Sequence, residues 1–339
     1  MIRKLWYAVL ESSELSNRPL GVTRLGERLV FWRDADGKPA CFYDRCAHRG
    51  AALALGKILR PEPRGEAGAR AGAVLQCPFH GLEYDVTGRC VKIPANGKNA
   101  PVPPQFKLTR YPTHEAHGII WLWWGSDPPA DLPAPAFFDD LKDMKVWRTA
   151  RDPWDNHYTK VLENQLDVVH LPFVHYNTIG RGNRTLVNGP VVEWRGTDRF
   201  FVRVFNEVDT GQRPRTAGEI QPPYPAFHLD FIFPNLWQNW IAEKVRVGAA
   251  FVPVDAEHTL LYLRFYQKFL PGPLGKLVTR LAMPFNLKVA HQDRRVVETQ
   301  VPKPSGLKIG ENLVAGDGPV VEYRMGRQEL MDAARLGTP

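Results

Sequence analysis

The chain has few of the features that would place it quickly. Four cysteines in 339 residues cannot staple a chain of this length as a disulfide scaffold. No apolar run approaches the roughly 20 residues that span a bilayer. The most apolar window, Gly118-Ile119-Ile120-Trp121-Leu122-Trp123-Trp124, falls far short. The N-terminus, Met1 to Ala8, has no apolar segment followed by a small-residue cleavage site, so a soluble, cytoplasmic protein without a membrane partner is expected. Internal repeats and a Gly-rich dinucleotide fingerprint are also missing. Charge of one sign is not concentrated. The 44 Lys and Arg exceed the 36 Asp and Glu by a formal +8, but the excess is diffuse and interleaved with acids. Nucleic-acid binders gather such charge on one stripe, so nucleic acid is not expected as a partner. The densest basic run, Arg60 to Arg70, also carries Gly, Pro, Ala and two Glu and reads as a solvated loop.

What remains is an ordinary globular composition, 44% apolar and 24% charged, long enough for two domains. From Trp6 to Trp124 short apolar runs alternate with turn residues, as in Arg28–Arg33 followed by Asp34-Ala35-Asp36-Gly37. Val74–Cys77, Leu82–Val86 and Gly118–Trp124 continue the pattern, which predicts an antiparallel sandwich or barrel. A proline-rich connector at 127–135 marks the boundary, giving domains 1–130 and 136–339. Beyond it, Asp155 is placed to cap a helix running through Leu166 to His170 and ending at Pro172. Strands follow at 202–205, 228–233, 247–254 and 260–266, and a closing helix spans about 285–299. The second domain therefore reads as α+β with a large antiparallel sheet.

Two motifs carry chemistry. Cys46-Ala47-His48 and Cys77-Pro78-Phe79-His80 lie at strand–loop transitions, each followed within two residues by glycine. Two loops that each give one thiolate and one imidazole can build a four-ligand metal site. The ligand set alone permits zinc. The pairing of Cys with His in each loop suits a two-iron cluster, with sulfur on one iron and nitrogen on the other. Cys41 and Cys90 have no histidine at matching spacing and read as buried structural thiols.

The second motif is Asn164-Gln165-Leu166-Asp167-Val168-Val169-His170-Leu171-Pro172-Phe173-Val174-His175. Asp167 and His170, three apart, are expected on one helix face. Past the proline the chain can turn back and bring His175 towards His170. One further carboxylate would complete the 2-His-1-carboxylate triad of non-haem iron oxygenases. Asp293 is the candidate, because its helical neighbours Val289, Ala290, Val296 and Val297 place it on an apolar face where an unpaired carboxylate is costly. Glu298 is the fallback, and a salt bridge to Arg294 or Arg295 is the structural alternative.

Taken together, the upstream Cys-x-His and Cys-x2-His, the Asn-x2-Asp-x2-His-x4-His segment and the late Asp resemble the α subunit of a Rieske non-haem iron oxygenase. The resemblance covers nearly the whole chain and is to the branch of dicamba monooxygenase and vanillate demethylase. It implies a Rieske β-sandwich domain followed by a helix-grip catalytic domain, assembled as a homotrimer. It further implies that Cys46 and Cys77 hold one iron of a [2Fe–2S] cluster and His48 and His80 the other. His170, His175 and Asp293 would hold a mononuclear Fe(II). Asp167 would bridge a cluster histidine of one subunit and His170 of the next, and Asn164 would line the site or support it. Electrons would come from NAD(P)H through a separate reductase, with or without a ferredoxin, and the positive charge would steer an acidic donor. Leu82 stands where the family has an aromatic residue, and the Arg60–Ala73 stretch is an insertion of unknown effect on donor docking.

The implied reaction is hydroxylation or oxidative demethylation of a small aromatic or heterocyclic substrate with O2. Ring cis-dihydroxylation is the second reading, and a Rieske electron-transfer or binding module without oxygenase activity is the third. Phe227, Phe231, Phe233, Trp237 and Trp240 are either pocket lining or sheet core. His228 and Asn235 read as structural.

Overall fold

The computed structural model describes residues 1–60, 72–125, 128–129 and 131–336. Within the Arg60–Ala73 insertion, residues 61–71 lie outside the described residues. The chain divides into two compact units, Arg3–Pro135 and Ala136–Pro339, the second joined by Met1 and Ile2.

The first unit is built of short antiparallel strands: β1 (Leu5–Glu11), β2 (Leu20–Arg24), β3 (Glu27–Arg33), β4 (Pro39–Tyr43), β5 (Lys57–Leu59), β6 (Val74–Gln76), β7 (Glu83–Tyr84), β8 (Cys90–Lys92), β9 (Arg110–Tyr111), β10 (Thr113–Ala116) and β11 (Ile119–Trp124). They form sheets ordered β1-β11-β10, β2-β3-β4-β9 and β5-β6-β7-β8. The β3–β4 turn closes as its residues require. Asp34 Oδ1 accepts the backbone N–H groups of Asp36 and Lys38, and Gly37 takes φ +79°. Val30, Trp32, Phe42, Leu75 and Leu82 form a core that continues to Cys46 and Cys77.

The second unit carries a seven-stranded antiparallel sheet, composed of β12 (Val146–Trp154), β13 (Leu186–Trp194), β14 (Arg199–Glu207), β15 (His228–Ile232), β16 (Leu236–Ala242), β17 (Val245–Pro253) and β18 (Thr259–Gln267). The order is β12-β18-β17-β16-β15-β14-β13. Five helices accompany it: α1 (Asp139–Lys142), α2 (Tyr158–Leu166), α3 (Leu171–Val174), α4 (Gly272–Val297) and α5 (Gly318–Leu336). The long helices pack on the sheet, α4 against β12 and β18 and α5 against β13. No helix among the described residues is long and apolar enough to cross a membrane.

Four local expectations are corrected. The cap of α2 is His157, not Asp155: its Nδ1 accepts the Thr159 N–H at 3.3 Å. The helix then stops at Leu166, so Asp167 and His170 do not share a helical face. The cause is Asp167 itself, whose Oδ1 takes the N–H groups of Val169 (2.6 Å) and His170 (3.4 Å) and so competes with the helical ladder. Pro172 does not end a helix. It sits in the first turn of α3, where its missing N–H costs nothing. The closing helix is also longer than expected, because Pro284 lies inside α4 rather than before it.

Helix α5, not anticipated from the sequence pattern, is tied down by charge. Arg324 donates to both oxygens of Glu163 on α2 (2.7 and 2.8 Å) and to Glu311 (2.7 Å). Lys160 lies 3.6 Å from Glu163 and also bonds Glu311. All of these side chains but Glu311 are almost fully buried. Removing one partner strands the others, so Arg324→Ala is expected to destabilise the protein by about 3–5 kcal/mol, read from its denaturant midpoint.

Candidate metal centres

The two Cys/His loops have the same backbone build. Cys46 N–H donates to Ala51 O (2.8 Å) and Gly50 N–H to Cys46 O (3.0 Å). In the second loop Cys77 N–H donates to Leu82 O (2.8 Å) and Gly81 N–H to Cys77 O (3.2 Å). Both glycines are left-handed, at φ +77° and +72°, which a side chain would strain. Each loop buries its sulfur and exposes its imidazole: Cys46 and Cys77 belong to the core, while His48 and His80 lie exposed with ring centroids 4.7 Å apart. Burial pushes the Cys77 thiol up, and the adjacent Cys46 thiol adds to the effect. With two thiols held together in an apolar wall, the donor set fits a metal cluster with a buried sulfur end and an exposed nitrogen end.

One contributor escaped sequence reasoning. Tyr84 is fully buried, and its hydroxyl lies 3.1 Å from Cys46 Sγ and accepts the Ala47 N–H at 3.2 Å. A tyrosine two residues after the Gly81-Leu82 pair was the available signal. Leu82, where the family has an aromatic residue, is core. Cys41 and Cys90 are buried and free, and burial raises both thiols.

In the second unit, His170 and His175 converge with Asp293. His170 Nε2 lies 3.3 Å from His175 Nε2 and 3.4 Å from Asp293 Oδ1, and His175 Nε2 lies 2.9 Å from the same oxygen. Ligands about 2.1 Å from one ion at right angles stand about 3 Å apart, which is the spacing seen. Asp293 Oδ1 is buried and accepts no well-aligned hydrogen bond there. The group fits a metal ion, and among the described residues it is the one cluster of three such ligands. Glu298 is elsewhere, capping α4 and bonded to Arg294 and the Asp155 N–H.

Electrostatics agree with this geometry. Burial alone would lower the His170 imidazole, yet hydrogen bonds and charges from Asp167 and Asp293 hold it at about 9. Burial would raise the Asp293 carboxyl, but the two imidazoles hold it at about 2. Asp167 Oδ2 stands 3.5 Å from His170 Nδ1, and its carboxyl is likewise lowered by that ring despite burial. Gln292 was not singled out from the sequence. Its Oε1 faces His175 Nδ1 at 3.0 Å and accepts from Thr178 Oγ1, while its Nε2 donates to Asn177. An acceptor at Nδ1 leaves the Nε2 lone pair free for a metal.

A cavity of about 310 Å³ opens from this group, at the small end of the roughly 300–1,000 Å³ usual for ligand sites. Alternate residues of the central strands line it, including Trp237 and Asn239 on β16, Ala249 on β17 and Leu263 on β18. Asn164 faces it with its Nδ2 unpartnered. The aromatic candidates divide. Phe227 and Trp237 line the cavity, Phe231 and Phe233 pack on Tyr323 of α5, and Trp240 stacks on His228. Asn235 is structural, donating to Phe251 O.

Residues 5–112 match the Rieske [2Fe-2S] domain family, and residues 154–333 match the vanillate O-demethylase oxygenase C-terminal domain family. Methylxanthine N1-demethylase NdmA of Pseudomonas putida is 28% identical across 99% of this chain and 91% of its own length. The putative toluene-4-sulfonate monooxygenase iron-sulfur subunit TsaM2 of Comamonas testosteroni is 32% identical over 57% of this chain, a match spanning about half (51%) of that protein. The structure of NdmA with caffeine superposes with a TM-score of 0.73 at 26% identity, covering 98% of this chain and 92% of that one. Dicamba monooxygenase bound to dicamba, at 20% identity, shares the fold at a TM-score of 0.68 over 99% of both chains. With a Rieske unit, a His/His/Asp group consistent with mononuclear iron, and a family match over more than half its length, the chain belongs to the Rieske oxygenase α subunits of the NdmA, dicamba monooxygenase and vanillate demethylase branch.

Proposed function

We propose that this chain uses O2 and reductase-supplied electrons to hydroxylate, or oxidatively demethylate, a small aromatic or heterocyclic compound. The observation that carries this reading is the buried His170–His175–Asp293 group lining a mostly apolar cavity, in a chain that also carries a Rieske unit. The electron-transfer reading loses support here, since a carrier has no use for a second ligand set inside a cavity. In the net reaction two electrons and two protons accompany O2, one oxygen atom enters the substrate, and the other leaves as water.

Residues 1–130 are assigned to the cluster domain and 136–339 to the catalytic domain. Cys46 and Cys77 would hold one cluster iron, His48 and His80 the other, and His170, His175 and Asp293 the mononuclear iron. When bound, these groups supply one-electron transfer and O2 activation. The chain's own work is positional. The apolar strands desolvate the substrate ring beside the ligand group, and three protein ligands would leave a bound iron with open coordination positions. Gln292 holds the His175 ring, and Asp167 faces Nδ1 of the His170 ring. In a homotrimer, Asp167 would also meet a cluster histidine of the next subunit. Asn164 offers a donor to the cavity. The electron donor is a separate reductase or ferredoxin drawing on NAD(P)H, and the basic balance favours an acidic one. The place of action is the cytoplasm.

Four measurements test this. His175→Ala should abolish substrate-dependent O2 uptake and the mononuclear iron while leaving the visible spectrum of the cluster intact. With ¹⁸O2 the wild-type product should carry one labelled atom at most, and a diol carrying two would reverse the reading. Gln292→Ala should weaken mononuclear metal binding about 10–100-fold in a chelator competition, with Gln292→Glu restoring part of it. The fourth concerns pH. After chelation, the raised His170 imidazole stabilises the fold fully below its ordinary 6.5, and that contribution disappears as pH rises through about 9. The melting temperature of chelated protein should therefore fall between pH 6.5 and 9, and His170→Gln should flatten that fall.

A further inference from the structure

Asp152 on β12 is a second buried carboxylate, 5% exposed, and lies outside the His/His/Asp group. Its Oδ2 accepts the Trp154 Nε1–H at 2.8 Å, which fixes the carboxylate against its own strand. Its Oδ1 faces α4, where Arg294 Nη1 donates at 3.2 Å and His291 Nε2 stands at the same distance. Those two residues bracket Gln292 and Asp293, the pair on α4 that meets the imidazoles. The chain just beyond Asp152 grips the same end of the helix. The Asp155 N–H donates to Glu298 Oε1, which also receives Arg294 Nε, and Asn156 Nδ2 donates to the Val297 carbonyl. Helix α2 starts two residues later, at Tyr158, and leads to Asp167, His170 and His175.

Magnitudes say why such a grip matters. Metal ligands are placed to about 0.2 Å, and the outer atoms of a helical side chain stand about 5–6 Å from the helix axis. Turning α4 by about 10° would therefore move the Asp293 oxygens by about 1 Å, several times that tolerance. Apolar contacts are non-directional and oppose so small a turn weakly. Charge-assisted hydrogen bonds are directional. At about 100° per residue, His291 and Arg294 share one side of α4 while Asp293 points about 100–160° away from them. Holding that side fixes where Asp293 points. Pro284 makes a local anchor more necessary, because it cannot donate to the carbonyl one turn earlier and so interrupts the ladder upstream of Asp293.

We propose that Asp152 is a positioning residue for the mononuclear metal site. By receiving His291 and Arg294 together, it sets the rotation of α4 at which Asp293 and Gln292 face the two imidazoles. It touches neither metal nor substrate and acts through the helix alone. This rests on the reading of His170, His175 and Asp293 as the iron site, but its first readout is metal affinity rather than turnover.

The experiment compares the full-length wild type with D152A, D152N and F233L, the last trimming a buried ring that packs on Tyr323 of α5. Competition with a chelator for ferrous iron, well below each melting temperature, should show D152A binding the mononuclear iron about 10–100-fold more weakly. D152N should recover part of the loss, and F233L, destabilised but remote, should lose none. The visible spectrum of the cluster should be the same in all four. The electron paramagnetic resonance spectrum of the nitric oxide complex of the mononuclear iron should change in D152A and not in F233L. The double variant H291A/R294A should reproduce the loss, and adding D152A to it should weaken binding by no more than about twofold further. Wild-type affinity in D152A, an equal loss in F233L, or additive losses in the triple variant would overturn the proposal. Oxygen uptake by the same samples tests the underlying reading separately. Iron affinity that depends on Asp152, with no substrate-dependent O2 uptake by the wild type, would leave the positioning role standing and remove the oxygenase reading. Uptake by the wild type with an affinity indifferent to Asp152 would do the reverse.

Discussion

The catalytic unit is organised around a buried carboxylate. Asp293 is 3% exposed on the apolar side of α4, and in that setting an isolated anion would take up a proton rather than stay charged. It stays ionised because His170 and His175 crowd it within 3.4 Å. Three candidate ligand atoms held this close, with Oδ1 lacking an aligned donor, form a group consistent with a cation site. Much of the surrounding architecture serves to keep that group in place. The sheet provides an apolar floor, α4 carries the carboxylate across it, and the α2–α3 connection presents the two imidazoles.

That connection shows how a small polar group redirects a backbone. By capturing two N–H groups beyond the end of α2, Asp167 breaks the helix and sets up the turn into α3, with Pro172 in its first turn. The other oxygen of the same carboxylate reaches the His170 ring. Gln292, one residue before Asp293 on α4, does the matching work on His175. The buried Arg324–Glu163–Glu311–Lys160 cluster then fixes α2 against α5, so the helix that leads into the ligand segment is anchored at a second point. In the first unit the same economy appears as two loops of one design, in which left-handed glycines let the chain fold back over each cysteine.

The metal chemistry was legible in the sequence because it depends on residue type at short spacing. Cys46 and His48, Cys77 and His80, and His170 and His175 are local pairs, and only a few backbone arrangements separate their members. Asp293 was legible for another reason: a carboxylate among Val289, Ala290 and Val297 is costly, and the cost itself was the signal. Other elements were not legible. Helix α5 shows a weak apolar face and is held partly by buried charge, so its pattern resembled that of a solvent-exposed segment. Phe227 and Phe231 are equally aromatic and four residues apart, yet one lines the cavity and the other packs under Tyr323. Which face of β15 is covered by which helix depends on pairings distant in sequence.

The sequence alone therefore determined the candidate ligand types, their grouping into two local sets and the family, since these follow from chemistry read over a few residues. Tertiary structure decided what those ligands face. It placed Tyr84 against Cys46, Gln292 against His175 and Asp152 against Arg294. Each of these joins residues between 38 and 142 positions apart. The physical reason is that a side chain's direction and partners are set by strand register and helix packing, which no local run of residues encodes.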